Sequence, residues 1–271
     1  MNLSDVQFIF NRALSLTFNR KKLLLVFFVL ALCGLLVVFF RALAINAGKW
    51  VLMSLSFMPI FLCAGVLLSV GIILVRIYHD EIKRKTFRYR DIMINSWEIV
   101  IGSSYFYIPI ILCYLLLWML LGIFVLLKEI PGIGEFFAVF LAFGPFLINL
   151  GSLALGVLSI SLLFFLAPIL ALNGLNRIRI TNILVKRLKG DMFSNILLAA
   201  IATLPLLFIF GLLLLAGVLT GSVCYTCTDP IHNVLQWFIM MIPFTALLSP
   251  AVVFFFNFAT EAHVLIQRQL R

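Results

Sequence analysis

Six long apolar runs separated by short polar stretches dominate the chain: Leu23 to Phe40, Val51 to Val75, Tyr105 to Leu127, Phe136 to Leu172, Ile196 to Leu219 and Val234 to Thr260. An unbroken apolar run of about 18 residues or more is long enough to cross the hydrocarbon of a bilayer as a helix. The pattern therefore predicts an all-α integral membrane protein with six transmembrane helices, built as a single polytopic domain over residues 1–271. The fourth run is too long for one crossing and contains Gly144-Pro145. Proline removes a backbone donor and disrupts a helix, so a short re-entrant or interfacial helix is expected from Phe136 to Phe143, with the crossing helix starting near Phe146.

The polar stretches carry a second pattern. Before the first, third and fifth spans, apolar residues recur at helical spacing against polar ones, as in an amphipathic helix lying along a membrane face. Leu3, Val6, Phe10, Ala13, Leu14 and Thr17 oppose Asp5, Asn11, Arg12 and Ser15. Ile92, Met93, Trp97, Val100 and Ile101 oppose Arg90, Asp91, Asn95 and Glu98. Ile180, Ile183, Leu184 and Leu188 oppose Arg179, Asn182, Lys186 and Lys189. Gly102 precedes Tyr105, and Gly190 precedes Phe193, by three residues each, a spacing that lets the chain turn into the bilayer beside an anchoring aromatic. The order of leader, span, short loop and span predicts three hairpins, in repeat-like units of about 1–75, 84–172 and 176–265.

Charge adds an orientation. Seventeen of the twenty Lys and Arg residues fall on alternate gaps between spans, and only Arg41, Lys49 and Lys128 on the others. Cationic loops are retained in the cytoplasm during insertion, so both termini are expected inside the bacterial cytoplasmic (inner) membrane. The net charge of +10 is thus placed at the ends of spans, which excludes a nucleic-acid surface. Arg20, Lys21, Lys22, Lys83, Arg84, Lys85, Arg88, Arg90, Lys186, Arg187 and Lys189 are the expected contacts for anionic lipid headgroups or a membrane-protein partner. The chain is 64% apolar and 11% charged, far from the roughly 45–50% and about 25% of soluble domains. Ala42-Leu43-Ala44 resembles a signal-peptide cleavage site, but the long patterned polar region before Leu23 and the length of the first run favour an uncleaved span.

The segments Arg90 to Tyr105 (RDIMINSWEIVIGSSY) and Leu172 to Phe193 (LNGLNRIRITNILVKRLKGDMF) resemble the leaders of the membrane domain found fused to some bacterial glycerophosphoryl diester phosphodiesterases, and of related six-span inner-membrane proteins. The first leader, where Arg20, Lys21 and Lys22 run straight into Leu23, lacks the glycine and the aromatic. The resemblance implies a fold. It implies no phosphodiesterase activity, because the catalytic domain is absent from this sequence.

Candidate chemistry is sparse. Seven of nine prolines (Pro59, Pro109, Pro145, Pro168, Pro205, Pro243 and Pro250) lie inside spans. The apolar centres hold no ionisable residue, which argues against ion coupling. They hold neutral polar residues instead, with Asn149 in span four and Asn257 in span six as candidates for lining a cavity or for ordinary packing between helices. Gly65 with Ser69, Ser152 with Gly156 and Gly217 with Gly221 would allow close helix approach. Cys33, Cys63 and Cys113 read as small apolar filler, whereas Cys224 and Cys227 form a Cys-x-x-Cys pair on an outer loop, a candidate disulfide with thiol redox chemistry or a metal site as weaker alternatives. No hydrolytic or phosphate-binding motif is present, and no cofactor is called for. A non-enzymatic accessory or scaffold protein is the expected role, with a transporter or flippase for a lipid or poorly charged molecule as the alternative.

Overall fold

The structure, a computed structural model, describes residues 3–44, 49–84, 89–130, 138–190, 192–220 and 230–269. Among these, eight helices account for nearly the whole chain: α1 (Leu3–Ser15), α2 (Arg20–Ala44), α3 (Lys49–Ile82), α4 (Tyr89–Glu129), α5 (Ala138–Asn173), α6 (Arg177–Gly190), α7 (Met192–Leu219) and α8 (Pro230–Gln269). All but α1 and α6 are long and apolar enough to cross a membrane. The six expected spans are all present as helices.

Helix α3 is the hub, packing against α2, α4, α5 and α8. Over half of its span is buried (56%), against 17% for α2 and α4 and 11% for α7. Leu68, Ile72, Leu74 and Val75 of α3 join Phe164, Leu166, Ile169 and Leu170 of α5 and Val253, Phe256, Phe258 and Ala259 of α8 in one core. In a membrane no hydrophobic difference drives such helices together, so close packing must hold them. The long apolar faces left uncovered on α2, α4 and α7 are what hydrocarbon would wet.

Two expectations about segment breaks are overturned. Helix α5 runs unbroken through Gly144 and Pro145, so the described part of the fourth run forms no separate re-entrant helix; Phe136 and Phe137 lie outside the described residues. In an apolar setting, ending a helix strands more backbone groups than one internal proline does. The ring of Phe124 from α4 lies 3.1 Å from where a Gly144 Cβ would stand, so the neighbouring helix packs closely at this point. The second leader is likewise no separate helix, since α4 continues over 41 residues from Tyr89 to Glu129. Gly102 sits in its interior, where a side chain would collide with Leu175 in the α5–α6 link. Its absent Cβ serves a close approach rather than a turn. Leaders one and three do form separate helices, and α6 does end at Gly190.

All seven span prolines lie inside helices. Of the small-residue pairs, Gly65 takes the Tyr107 ring at van der Waals distance, while Gly156 faces open space.

Candidate functional site

The apolar spans give way at one end of the bundle to a polar layer that joins every helix. Helix α1 lies against α8 through Phe10, whose ring meets Phe254 edge-on at 5.1 Å, and through Ala13, whose carbonyl accepts a 3.4 Å hydrogen bond from Asn257 Nδ2. One turn further along α8, Glu261 Oε1 forms an ion pair with Arg12 Nε (3.3 Å) and accepts a hydrogen bond from Tyr78 OH (2.9 Å). Residues 254, 257 and 261 share one face of α8 because they are three and four apart. That spacing lets a single helix face hold a ring contact, an amide and a carboxylate for one partner helix.

Beside this, Lys22 of α2 is fully buried and donates to Glu81 Oε2 of α3. Its ammonium also lies 5.1 Å from the Tyr78 ring centroid, in reach of a cation–π attraction. Asn19 Nδ2 donates to Glu81 Oε1 (2.7 Å) and stands 3.3 Å from Tyr89 OH, while Lys21 Nζ lies 4.9 Å from the Tyr89 ring centroid. The start of α2, the end of α3 and the start of α4 therefore meet at Glu81. Nearby, Arg76 donates from Nε to Ala171 O (3.1 Å) and from Nη1 to Asn95 O (3.1 Å) and Ser96 Oγ (2.9 Å). Ala171 belongs to the last turn of α5, whose carbonyls lack helical partners and carry the negative end of the dipole, so the guanidinium both satisfies and neutralises it.

A second buried cation ties α6 to its neighbours. Arg187 is 2% exposed. Its Nε donates to Asn195 Oδ1 of α7 (3.0 Å), and Asn195 Nδ2 returns a 2.7 Å bond to the Arg187 carbonyl. Its Nη1 meets His263 Nδ1 of α8 at 3.2 Å, and the guanidinium lies 4.7 Å from the Phe165 ring centroid on α5. Arginine can only donate, so the ring accepts at Nδ1 and carries its proton on Nε2. Burial pushes the guanidinium's pKa down to about 10, which leaves it charged at neutral pH. Among the described residues Arg187 touches no carboxylate, and its Nη2 and the His263 Nε2 find no hydrogen-bond partner.

The expected lipid-contacting cations thus divide. Arg20, Lys21, Lys83, Arg84, Arg90 and Lys186 are exposed at this end. Lys22 and Arg187 are not surface cations, because each is spent inside the bundle on Glu81 or on Asn195 and His263. Lys85, Arg88, Cys224 and Cys227 lie outside the described residues, as does the side chain of Lys189. Asn149 and Asn257 are not brought together. Asn149 lines a recess between α3, α4 and α5, with Ser54, Tyr114, Trp118 and Ser152, that has room for about one water. Asn257 is fully buried under α1. Cys33 and Cys63 are neighbours, the Cys63 thiol lying 3.5 Å from the Cys33 carbonyl.

Sequence reasoning passed over the acids. Glu81 and Glu261 hold the layer together, and their signal was present: each stands just past an apolar run, Glu81 beside Lys83, Arg84 and Lys85, in a chain with only ten Asp and Glu residues. No family model, curated protein or solved structure matches this chain.

Proposed function

We propose that this is a multi-pass protein of the bacterial cytoplasmic membrane, its six spans paired as three hairpins with both termini inside, and that it works without catalysis as a scaffold holding anionic lipid or a partner protein against its cytoplasmic face. The observation that carries this reading is that the exposed cations surround the same end of the bundle where Glu81, Glu261 and Arg187 lock the helices together. That end is tied together by these contacts, positively charged and at the boundary of the apolar spans. Juxtamembrane cations there attract anionic headgroups by about 1 kcal/mol each.

The opposite boundary supports the same frame. Arg41 of α2 stacks over Trp237 of α8, 4.1 Å from its centroid, and tryptophan and arginine favour the headgroup level. At the helical rise, Arg41 lies about 28 Å along α2 from Lys22, close to the roughly 30 Å thickness of a hydrocarbon core. In this frame α1 and α6 are the interfacial helices, with Phe8 and Ile178 turned outward, and the leader resemblance to the phosphodiesterase membrane domains belongs to the same proposal. Transport around Asn149 and Asn257 is the weaker reading, since a path between them would have to join two separate packing sites.

The test is lipid retention. The wild-type protein and a variant with Arg20, Lys21, Lys83, Arg84, Arg90 and Lys186 all changed to Gln are purified from the same membranes, and bound lipid and copurifying protein are identified by mass spectrometry. Enrichment of anionic lipid or of a partner in the wild type should fall several-fold in the variant. Equal profiles from two folded proteins would remove the proposal.

A further inference from the structure

Among the described residues, five exposed cations gather around one corner of this end. Asn19 links Glu81 to Tyr89, and Lys21 covers the Tyr89 ring. These contacts pin the start of α2, the end of α3 and the start of α4 together, and with them Arg20, Lys21, Lys83, Arg84 and Arg90, each within three residues of a pinned position and each exposed. The acids nearby do not cancel them. Glu81 is already taken by Lys22, which leaves Asp80 and Asp91 as the nearby acids.

The backbone adds an independent sign. Two helices end in the left-handed conformation that satisfies their last carbonyls. At the end of α5 the residue is Gly174 (φ 74°), whose N–H donates to Leu170 O, as expected where a Cβ is unwelcome. At the end of α3 it is Arg84 (φ 51°), whose N–H donates to Glu81 O. An arginine there carries a steric cost that glycine would avoid. The side chain compensates for that cost only if it does something at this corner, and its side chain is exposed. Strain at a non-glycine residue points toward use rather than toward stability.

We infer that the corner formed by Arg20, Lys21, Lys83, Arg84 and Arg90 is a discrete site for a phospholipid headgroup bearing two or more negative charges, with Arg84 placed by its strained backbone to hold a phosphate. This rests on the reading that the basic end faces the cytoplasmic leaflet. Five cations against two acids still exceed what a single phosphodiester neutralises, and arginine's planar fork grips phosphate oxygens in pairs. A headgroup with two phosphates, or with a phosphomonoester, matches that charge.

The experiment places the full chain in nanodiscs of neutral lipid doped with either cardiolipin or phosphatidylglycerol at equal total charge, and measures bound anionic lipid by native mass spectrometry. Wild type should favour cardiolipin, and Arg84→Gly should lose about tenfold of that preference while unfolding at the same or a higher temperature. Lys186→Gln, which removes an exposed cation on α6 outside this corner, should lower bound cardiolipin and phosphatidylglycerol alike and leave the preference between them intact. The inference is overturned if Arg84→Gly keeps the preference, if Lys186→Gln loses as much as Arg84→Gly, if inorganic pyrophosphate binds the detergent-purified protein through Arg84 while cardiolipin does not, or if Arg84→Gly releases a copurifying acidic protein and no lipid. Loss in both single variants leaves the broader scaffold reading standing with a diffuse surface. If the sixfold Gln variant also retains its lipid, both fall.

Discussion

Lys22 shows how far a residue's role can differ from its type. Its place in the run Arg20-Lys21-Lys22 marks it as one more orienting cation, yet it is the member that turns inward and meets Glu81. Removing one partner of a buried pair leaves the other charge uncompensated, whereas removing both leaves an apolar contact. Glu81→Leu should therefore cost about 3 kcal/mol in reversible unfolding in mild detergent, and Lys22→Leu with Glu81→Leu together should recover most of it. Strictly additive losses would show that the pair is not coupled. The charge pattern made the cations legible as a group. Which of them are exposed was not legible, because that depends on where Glu81, Asn195 and His263 arrive from distant parts of the chain.

At the scale of elements, span number and helix type were readable because twenty-odd apolar residues can only satisfy their backbone in a membrane as a helix. Ends were less readable. Gly102 and Gly144 look like breaks in sequence, but each accepts a neighbouring side chain, Leu175 or Phe124, in the middle of a continuous helix. Periodicity also located the stripe of α1 without naming what it covers. Phe10 and Ala13 face α8, and the helix is docked rather than merely laid down. Because Ala13 is fully buried and Leu14 is 42% exposed, Ala13→Phe should overpack the contact by about 1–3 kcal/mol and speed proteolysis of the link at residues 16–19. Leu14→Phe should leave the cleavage rate unchanged. Equal rates in the two variants would mean that α1 has no such seat.

For the molecule as a whole, the two polar boundaries define an orientation that can be measured. In a background with all five cysteines replaced, Lys83→Cys should be protected from a membrane-impermeant maleimide added outside intact cells, and Arg41→Cys should react. The reverse pattern would invert the proposed topology. The basic end was visible in sequence as a charge imbalance, while the contacts that tie it together were not, since Glu261 and Arg12 are separated by nearly the length of the chain. That closure of first helix on last has a consequence for biogenesis. Phe10, Arg12 and Ala13 have no seat until residues 254–261 have been synthesised, so α1 stays undocked while the five helices α2 to α5 and α7 are made. A contact of such long sequence separation forms late, and its formation reports that α8 has reached α1.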